Sequence, residues 1–550
     1  MTRDKLRIIP LGGLGEIGKN MMVLELPQDM ILIDAGLMFP EEEMLGVDLV
    51  IPDISYVRER RKKLRAIIVT HGHEDHTGAL PYVLRELRAP IYCTRLTRGL
   101  ISVKLKEHKL LKEADLRTVS PGENIRLGAF QVEFVRVTHS IPDSCGLAIR
   151  TPVGTVIHSG DFKLDHTPVM GEPTDLPRWA ELGHQGVLLL LSDSTYAESP
   201  GYTPSEQVVG ESLDRIMATA PGRVIVATFA SLISRVQQVI DAAHRNGRRV
   251  FITGRSMVDN VQMALELGYL SAPKKVLAPI DQLSGMQPQK VAIITTGSQG
   301  EPTSALVRMA SRNHRHIQIA PGDTVVMSAS PIPGNEMLIN RTIDNLCRLE
   351  AHVLYTRIAD VHVRGHAAQE ELKMLLSLVN PHYFVPIHGE YRHLVTHARL
   401  AQAMGIPQDN AFILEDGDIL ELDGKGGRVV GRASADHVYV DGLAVGVNQV
   451  VLRDRQRLAS DGIIVVILTV DKHSGRLVGQ PDVVAKGFMD TEGAEEILDK
   501  ARKQVTRALK GANHHSESAD VNARVRDTLA QYLYQETRTR PMILPFIVEV

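Results

Sequence analysis

The sequence predicts an α/β chain of layered sheets and helices, and three observations predict it. Short apolar runs of strand length end on histidine or aspartate, as in "AIIVTHGHEDH", "VTHS", "HSGDFK" and "VPIHGEY". Between about residues 206 and 355, "RVIVATF", "RRVFIT", "VAIITTG" and "TVVMSAS" alternate with stretches of helical spacing, the rhythm of a parallel sheet covered by helices. From residue 461 onward, "IIVVILTV" and "PFIVEV" flank two amphipathic stretches and read as a small α/β unit. At ~100–200 residues per domain, a chain of 550 residues suits three or four such units.

Composition narrows the class. A hydrophobic fraction of 43% and a charged fraction of 23% are those of a globular protein. The net charge of −3 provides no global positive field, so contact with nucleic acid needs a local basic lining. Three dispersed cysteines, Cys93, Cys145 and Cys347, exclude a disulfide framework and a thiolate zinc site, and suit a reducing cytoplasm. The start "MTRDKLRIIPLGG" has no signal-peptide core, and the longest apolar runs fall short of the ~18 residues of a membrane span.

Taken in order, residues 6–35 read as a strand, a glycine-rich loop and a hairpin turning at Pro27 and Asp29. The loop "GGLGEIGKN" matches a dinucleotide fingerprint and, apart from Asn20, a P-loop. Both motifs need a helix next, and "NMMVLELPQDMILIDAG" reads as strands, so the loop is expected to join strands. The basic cluster "RERRKKLR" at 58–65 reads as a solvated helix end. "GALPYVLREL" has helical spacing of Leu80, Val83, Leu84 and Leu87. Residues 130–137 form a strand, 147–158 a hairpin and 187–192 a buried strand reaching Asp193. Residues 425–460, rich in glycine and charge, read as a linker or wrapping segment.

The chemistry concentrates in "HGHEDH". His71, His73, Asp75 and His76 occupy six positions after a strand, a density of chelating groups that calls for a metal or a substrate. Imidazole and carboxylate donors without thiolate suit zinc or manganese. Further donors stand at strand ends: His139 in "VTHS", Asp161 in "SGDFK" and His388 in "IHGEY".

These motifs resemble the metallo-β-lactamase superfamily. The resemblance implies an αββα sandwich and distributes the ligands: His71, His73 and His139 on one divalent ion, Asp75, His76 and His388 on a second, and Asp161 between them. It implies that Asp34 in "LIDAG" orients a ligand histidine from behind. The long stretch between Asp161 and His388 resembles the inserted α/β domain of the β-CASP nucleases, whose acidic and histidine motifs match Asp193 in "LSDST" and His366 in "RGHA". With "FASLISRVQQ", "TTGSQGEP", "PIPGNE" and the C-terminal part, the chain is similar throughout to the ribonuclease J family. The implied organisation is a metallo-β-lactamase domain at 1–205 and 356–445, a β-CASP domain at 206–355, a linker at 446–460 and a C-terminal domain at 461–550.

The resemblance implies hydrolysis of phosphodiesters with two divalent ions, zinc or manganese, per subunit. Asp75 is expected to hold or receive the proton of the attacking water, and His366, oriented by Asp193, to protonate the leaving 3′ oxygen. Ser231 and Ser234 resemble a pocket for a 5′ phosphate, joined by Gly365 and His366 and by His362 at the scissile phosphate. Arg364 departs from the small polar residue expected there and adds a phosphate contact or covers the rim. Leu232 and Ile233 are also less polar than expected. The implied substrate is single-stranded RNA, attacked from a 5′-monophosphate end and internally, in mRNA decay and rRNA processing in the cytoplasm. The implied partners are a second copy, through the C-terminal domain, and proteins of RNA decay. Rival classes are a relative acting on DNA or mRNA 3′ ends, a diiron oxidoreductase, a small-ester hydrolase and a non-catalytic scaffold. The oxidoreductase would need an H-x-E-x-D loop and a flavin signature, which the sequence lacks.

Overall fold

The computed structural model describes residues 5–41, 43–332, 334–442, 444–472, 476–489, 491–509 and 518–550. Met1–Asp4 of the N-terminal stretch and Pro333 of "PIPGNE" lie outside them. By internal contacts the chain divides into two units, 1–39 with 50–438, and 40–49 with 439–550.

The first unit contains three large sheets. One is eight-stranded, in the order 426–432, 418–423, 6–12, 21–25, 30–33, 64–68, 91–93 and 116–118. The second is six-stranded, in the order 383–387, 189–193, 155–158, 145–150, 130–136 and 124–127. Their inner faces share one core, in which Leu6, Ile8, Leu24, Ile31 and Ile68 meet Phe134, Leu147, Leu191 and Val385. The outer face of the second sheet carries Trp179, Leu182, Leu372, Leu375 and Ala401 from helices Leu176–Gln185, Gln369–Val379 and Tyr391–Ala403. This is the expected helix-covered sandwich.

The third sheet has six strands, all parallel, in the order 277–278, 249–253, 291–295, 224–227, 324–327 and 352–354. Its strands are apolar on both faces because helices cover both. Leu213, Ile233, Val236 and Met257 pack on one side, and Leu306, Met309, Ile339 and Leu346 on the other. The chain leaves the sandwich after Asp193 and returns to the adjacent strand Tyr383–Ile387, in register Asp193↔Ile387. The insertion therefore brings the neighbourhoods of Asp193 and His388 together at the same end of one sheet.

The glycine-rich loop joins strands, as expected, with Met21–Glu25 following directly. Its short strand Leu14–Gly15 pairs in parallel with Gly389–Glu390. In the second unit, Asp482–Lys486, Ile463–Val470 and Met542–Glu549 form a sheet whose buried Ile464, Val466, Val483 and Ile543 pack on the helices Thr491–Leu509 and Ser518–Thr537. The stretch read as a linker differs: Gln449–Asp461 is a helix, capped by the Asn448 side chain accepting from Val450 N and ended by Gly462 at φ 74°. Its charged sequence hides the helical period, since only Leu452 in it is buried. Among the described residues no helix is long and apolar enough to cross a membrane.

Candidate metal centre

The strand Leu64–Ile68 delivers Val69 and Thr70 to the sheet's edge, and His71 to His76 follow as a loop and the first turn of a helix. His139 follows strand Phe130–Arg136, Asp161 follows Thr155–His158, and His388 follows Tyr383–Ile387. Among the described residues four overlapping donor groups result: His71, His73 and His139; Asp75, His76, Asp161 and His388; and two that include His366, with His139 and Asp161 and with Asp193 and His388.

Within the first group the nitrogens meet. His73 Nδ1 lies 3.1 Å from His71 Nε2 and 3.1 Å from His139 Nε2. The opposite nitrogens are committed elsewhere. His139 Nδ1 faces the Gly365 carbonyl at 2.7 Å, and a carbonyl only accepts, so Nδ1 carries the proton and Nε2 a lone pair. A Cβ on Gly365 would stand 2.7 Å from the His139 ring, so only glycine allows this approach. Thr70 Oγ1 donates to Asp34 Oδ2 at 2.9 Å and therefore accepts from His71 Nδ1 at 3.1 Å. Asp34 Oδ2 also takes His76 Nδ1 at 2.8 Å. Asp34, at φ 60°, thus holds two donor histidines in one tautomer.

Asp161 Oδ2 stands among imidazoles, 3.2 Å from His76 Nε2, 3.4 Å from His388 Nε2, 3.6 Å from His71 Nε2 and 3.8 Å from His139 Nε2. It is buried and has no hydrogen-bond partner of good geometry among the described residues. A buried carboxylate oxygen ringed by imidazole nitrogens is costly unless a cation, a ring proton or a metal ion, neutralises it. The donor set therefore fits divalent metal.

The electrostatics agree. Burial, reinforced by neighbouring histidines, pushes His71 and His139 well below the ordinary imidazole value, and burial takes His73 down to about 4, so these rings are neutral. Burial opposes ionisation of Asp161 and Asp75, but the surrounding histidines outweigh it and hold both carboxyls below the usual range. Against their own burial, the carboxylates around His76 and His388 push these rings up, His388 to about 9. The carboxylates that draw protons onto these rings would draw a divalent cation in their place.

Beside the donors, His366 Nδ1 lies 2.8 Å from Asp193 Oδ2, and the His366 ring is 4.9 Å from that of His139 and 5.2 Å from that of His388. Burial disfavours the Asp193 anion, but His366 more than compensates and lowers its pKa. Arg364 is exposed, donates to Ser199 Oγ at 2.8 Å and lies over the Tyr196 ring at 4.5 Å. His362 Nδ1 is buried without a hydrogen-bond partner among the described residues, and burial with Arg235, Lys163 and Arg364 nearby pushes it down to about 3. Ser234 Oγ donates to the Ser140 carbonyl at 3.1 Å, beside His139. Neither Ser231 nor Ser234 caps the helix Ile233–Arg245, whose N-cap position is Leu232 and makes no side-chain cap. Leu232 and Ile233 are apolar because they are buried, with Ile233 in the core of the inserted domain.

Family models match along the chain: the metallo-β-lactamase superfamily at residues 14–215, the ribonuclease J β-CASP domain at 221–346, the Zn-dependent metallo-hydrolase RNA specificity domain at 352–413 and the ribonuclease J C-terminal domain at 450–550. Ribonuclease J2 of Bacillus subtilis (strain 168) is 42% identical over 550 residues, covering 100% of this chain and 99% of that one. The chain belongs to the ribonuclease J family. Ribonuclease J of Thermus thermophilus is 44% identical, covering 100% of this chain and 96% of its own. A crystal structure of an Enterococcus faecalis V583 protein of unknown function, at 16% identity and TM-score 0.54 over 76% of this chain and 100% of that one, shares the fold.

Ribonuclease J membership and the donor set make this a hydrolase that uses divalent metal and binds RNA. Two residues of the centre were not singled out from sequence. Asn20 Nδ2 lies 3.1 Å from the Asp75 carbonyl and 3.2 Å from His76 Nε2, so the glycine-rich loop does line the site. Thr195 sits between Asp193 and His388. The mismatch of Asn20 with a P-loop was the one signal for the first, and "DST" carries none for the second.

Proposed function

We propose that this metal-dependent ribonuclease shortens single-stranded RNA from a 5′-monophosphate end, also cleaves it internally, and serves RNA decay and maturation in the cytoplasm. The observation that carries the reading is the pairing of the two donor groups around Asp161 with a histidine held by a buried aspartate on their rim.

In this reading His71, His73 and His139 would hold one divalent ion and Asp75, His76 and His388 a second, with Asp161 as a ligand shared by the two groups. Zinc or manganese bound there would lower the pKa of water and neutralise charge on the phosphate. The chain's own groups do the rest. Asp75 would hold the attacking water or receive its proton. His366, its Nδ1 anchored on Asp193, presents Nε2 as proton donor to the leaving 3′ oxygen.

Arg364, spread over Tyr196 at the rim, offers guanidinium donors to an RNA phosphate. Ser231, Ser234 and the backbone around Gly365 and His366 would form the pocket for the 5′ phosphate, and His362 would contact the scissile phosphate. In the second unit, Val484, Phe546 and Val548 are exposed on the sheet face turned from the helices, with Ile467↔Phe546 and Val465↔Val484 in register. This apolar face supports a homodimer through the C-terminal domain. RNA-decay proteins are proposed as further partners.

The test is a 5′-labelled single-stranded RNA with a matched DNA, in manganese and in zinc. Release of labelled mononucleotide from 5′-monophosphate RNA is expected. Cleavage of DNA alone would overturn the reading in favour of a β-CASP nuclease of another substrate.

A further inference from the structure

Ligand His388 and the Asp193–His366 pair are joined by one hydroxyl. Thr195 Oγ1 lies 2.8 Å from Asp193 Oδ1 and 2.7 Å from His388 Nδ1. The other oxygen of Asp193 holds His366 Nδ1 at 2.8 Å. The chain of contacts runs from the donor group to the proposed proton donor without a gap: His388, Thr195, Asp193, His366.

Proton accounting fixes its direction. A threonine hydroxyl has one proton to give and two lone pairs to receive with. Asp193 Oδ1, which also takes the Thr195 N–H, accepts, and so does the His388 carbonyl, which lies 3.3 Å from the same hydroxyl. If Thr195 gave its proton to His388 Nδ1, two oxygens 2.8 Å apart would face each other without a proton. The proton therefore goes to Asp193, and His388 Nδ1 must donate to Thr195. In the neutral ring, the form that binds metal, this leaves the lone pair on His388 Nε2, the nitrogen 3.3 Å from Asp75 Oδ2 and 3.4 Å from Asp161 Oδ2.

The same device occurs on the other side of the centre. There Thr70 gives its proton to Asp34 and receives His71 Nδ1. Backbone contacts add to the hold: Thr195 N donates to Asp193 Oδ1 at 3.0 Å, and Ser194 N to the His388 carbonyl at 3.2 Å. His388 sits at φ 54°, a conformation that a non-glycine residue keeps only when its surroundings enforce it.

We infer that Thr195 is a positioning residue: its hydroxyl sets the tautomer of His388 for metal and, through the same carboxylate, ties that site to the orientation of His366. The inference rests on the metal reading of the site given above. It assigns no contact between Thr195 and substrate.

The experiment compares Thr195→Val, Thr195→Ala and Thr195→Ser with the wild type in the full chain. Manganese and zinc stoichiometry and affinity are measured by chelator competition, alongside kcat and KM on RNA and the melting of the metal-free proteins. Valine keeps shape and buries well, and serine keeps the hydroxyl. The expected result is an affinity for the more weakly held ion reduced about 10–100-fold in the valine and alanine variants, the range for a lost outer-shell partner. With it kcat falls more than KM changes, and serine restores both. Wild-type metal affinity in a folded valine or alanine variant would overturn the inference. So would a serine variant as weak as alanine, which would assign the effect to methyl packing. A wild type that binds no divalent ion would overturn the metal reading itself, and this inference with it.

Discussion

His366 Nδ1 and Asp193 Oδ2 lie 2.8 Å apart although 173 positions separate them in the chain. The contact exists because the parallel pairing of Leu189–Asp193 with Tyr383–Ile387 closes the inserted domain back onto the sandwich. His366→Ala should therefore remove the proton donor without dismantling the donor groups. Turnover should fall by about 10²–10⁴-fold while bound metal stays at the wild-type level. Single-turnover kinetics and elemental analysis on the same sample check this.

Asp34 acts one layer further back, holding His76 directly and His71 through Thr70. Asp34→Asn should weaken metal binding by about 10–100-fold. Activity should recover as manganese is raised, which a titration after chelator dialysis will read.

A buried ion cluster at the base of the glycine-rich loop predicts a pH dependence of stability. Asp416 is pushed up to about 8 by burial and by Glu16, which itself is held down at about 2 by His437 and Lys19 in spite of burial. Lys19 Nζ sits 3.1 Å from Glu16 and 3.6 Å from Asp416. The folded chain keeps a proton on Asp416 that the unfolded chain releases near its ordinary value of 3.8. Stability from this group is thus highest below that value and declines as pH rises towards about 8. Asp416→Asn, which cannot ionise, should melt above the wild type at the alkaline end of this window, with the difference shrinking towards its acid end. Thermal melts across the window check the sign.

Arg235 is fully buried in the inserted domain. It meets Glu206 Oε2 at 2.5 Å, the Val361 carbonyl at 2.8 Å, Gln238 Oε1 at 2.7 Å and the Ser328 hydroxyl. Arg235→Met leaves Glu206 buried and short of its partner. It should destabilise the protein by about 3–5 kcal/mol, the cost of breaking a buried pair. Denaturant unfolding followed by fluorescence measures it.

The donors were legible in the sequence because each stands at the end of an apolar run, and a strand end is where a sandwich presents side chains. The alternation of strands and helices after residue 206 was legible for the same reason, since parallel strands are apolar on both faces. What the residues did not disclose depends on pairings remote in sequence. Asn20 reaches Asp75 from a glycine-rich loop whose partner is Gly389–Glu390, and no local pattern announces that neighbour. Thr195 reads as one more turn residue until His388 is placed beside it. Nothing local in "FASLISR" tells that the Ser234 hydroxyl turns to the Ser140 carbonyl next to His139. The helix Gln449–Asp461 was hidden because its charged face dominates its composition.

The central claim is that the donor groups hold metal and that His366 works beside them on RNA. The most direct measurement follows cleavage of 5′-labelled, 5′-monophosphate RNA by the wild type, His76→Ala and His366→Ala, with bound metal counted in each preparation. The account predicts labelled mononucleotide from the wild type alone, metal loss in His76→Ala and metal retention in His366→Ala. Wild-type cleavage by either variant would contradict it.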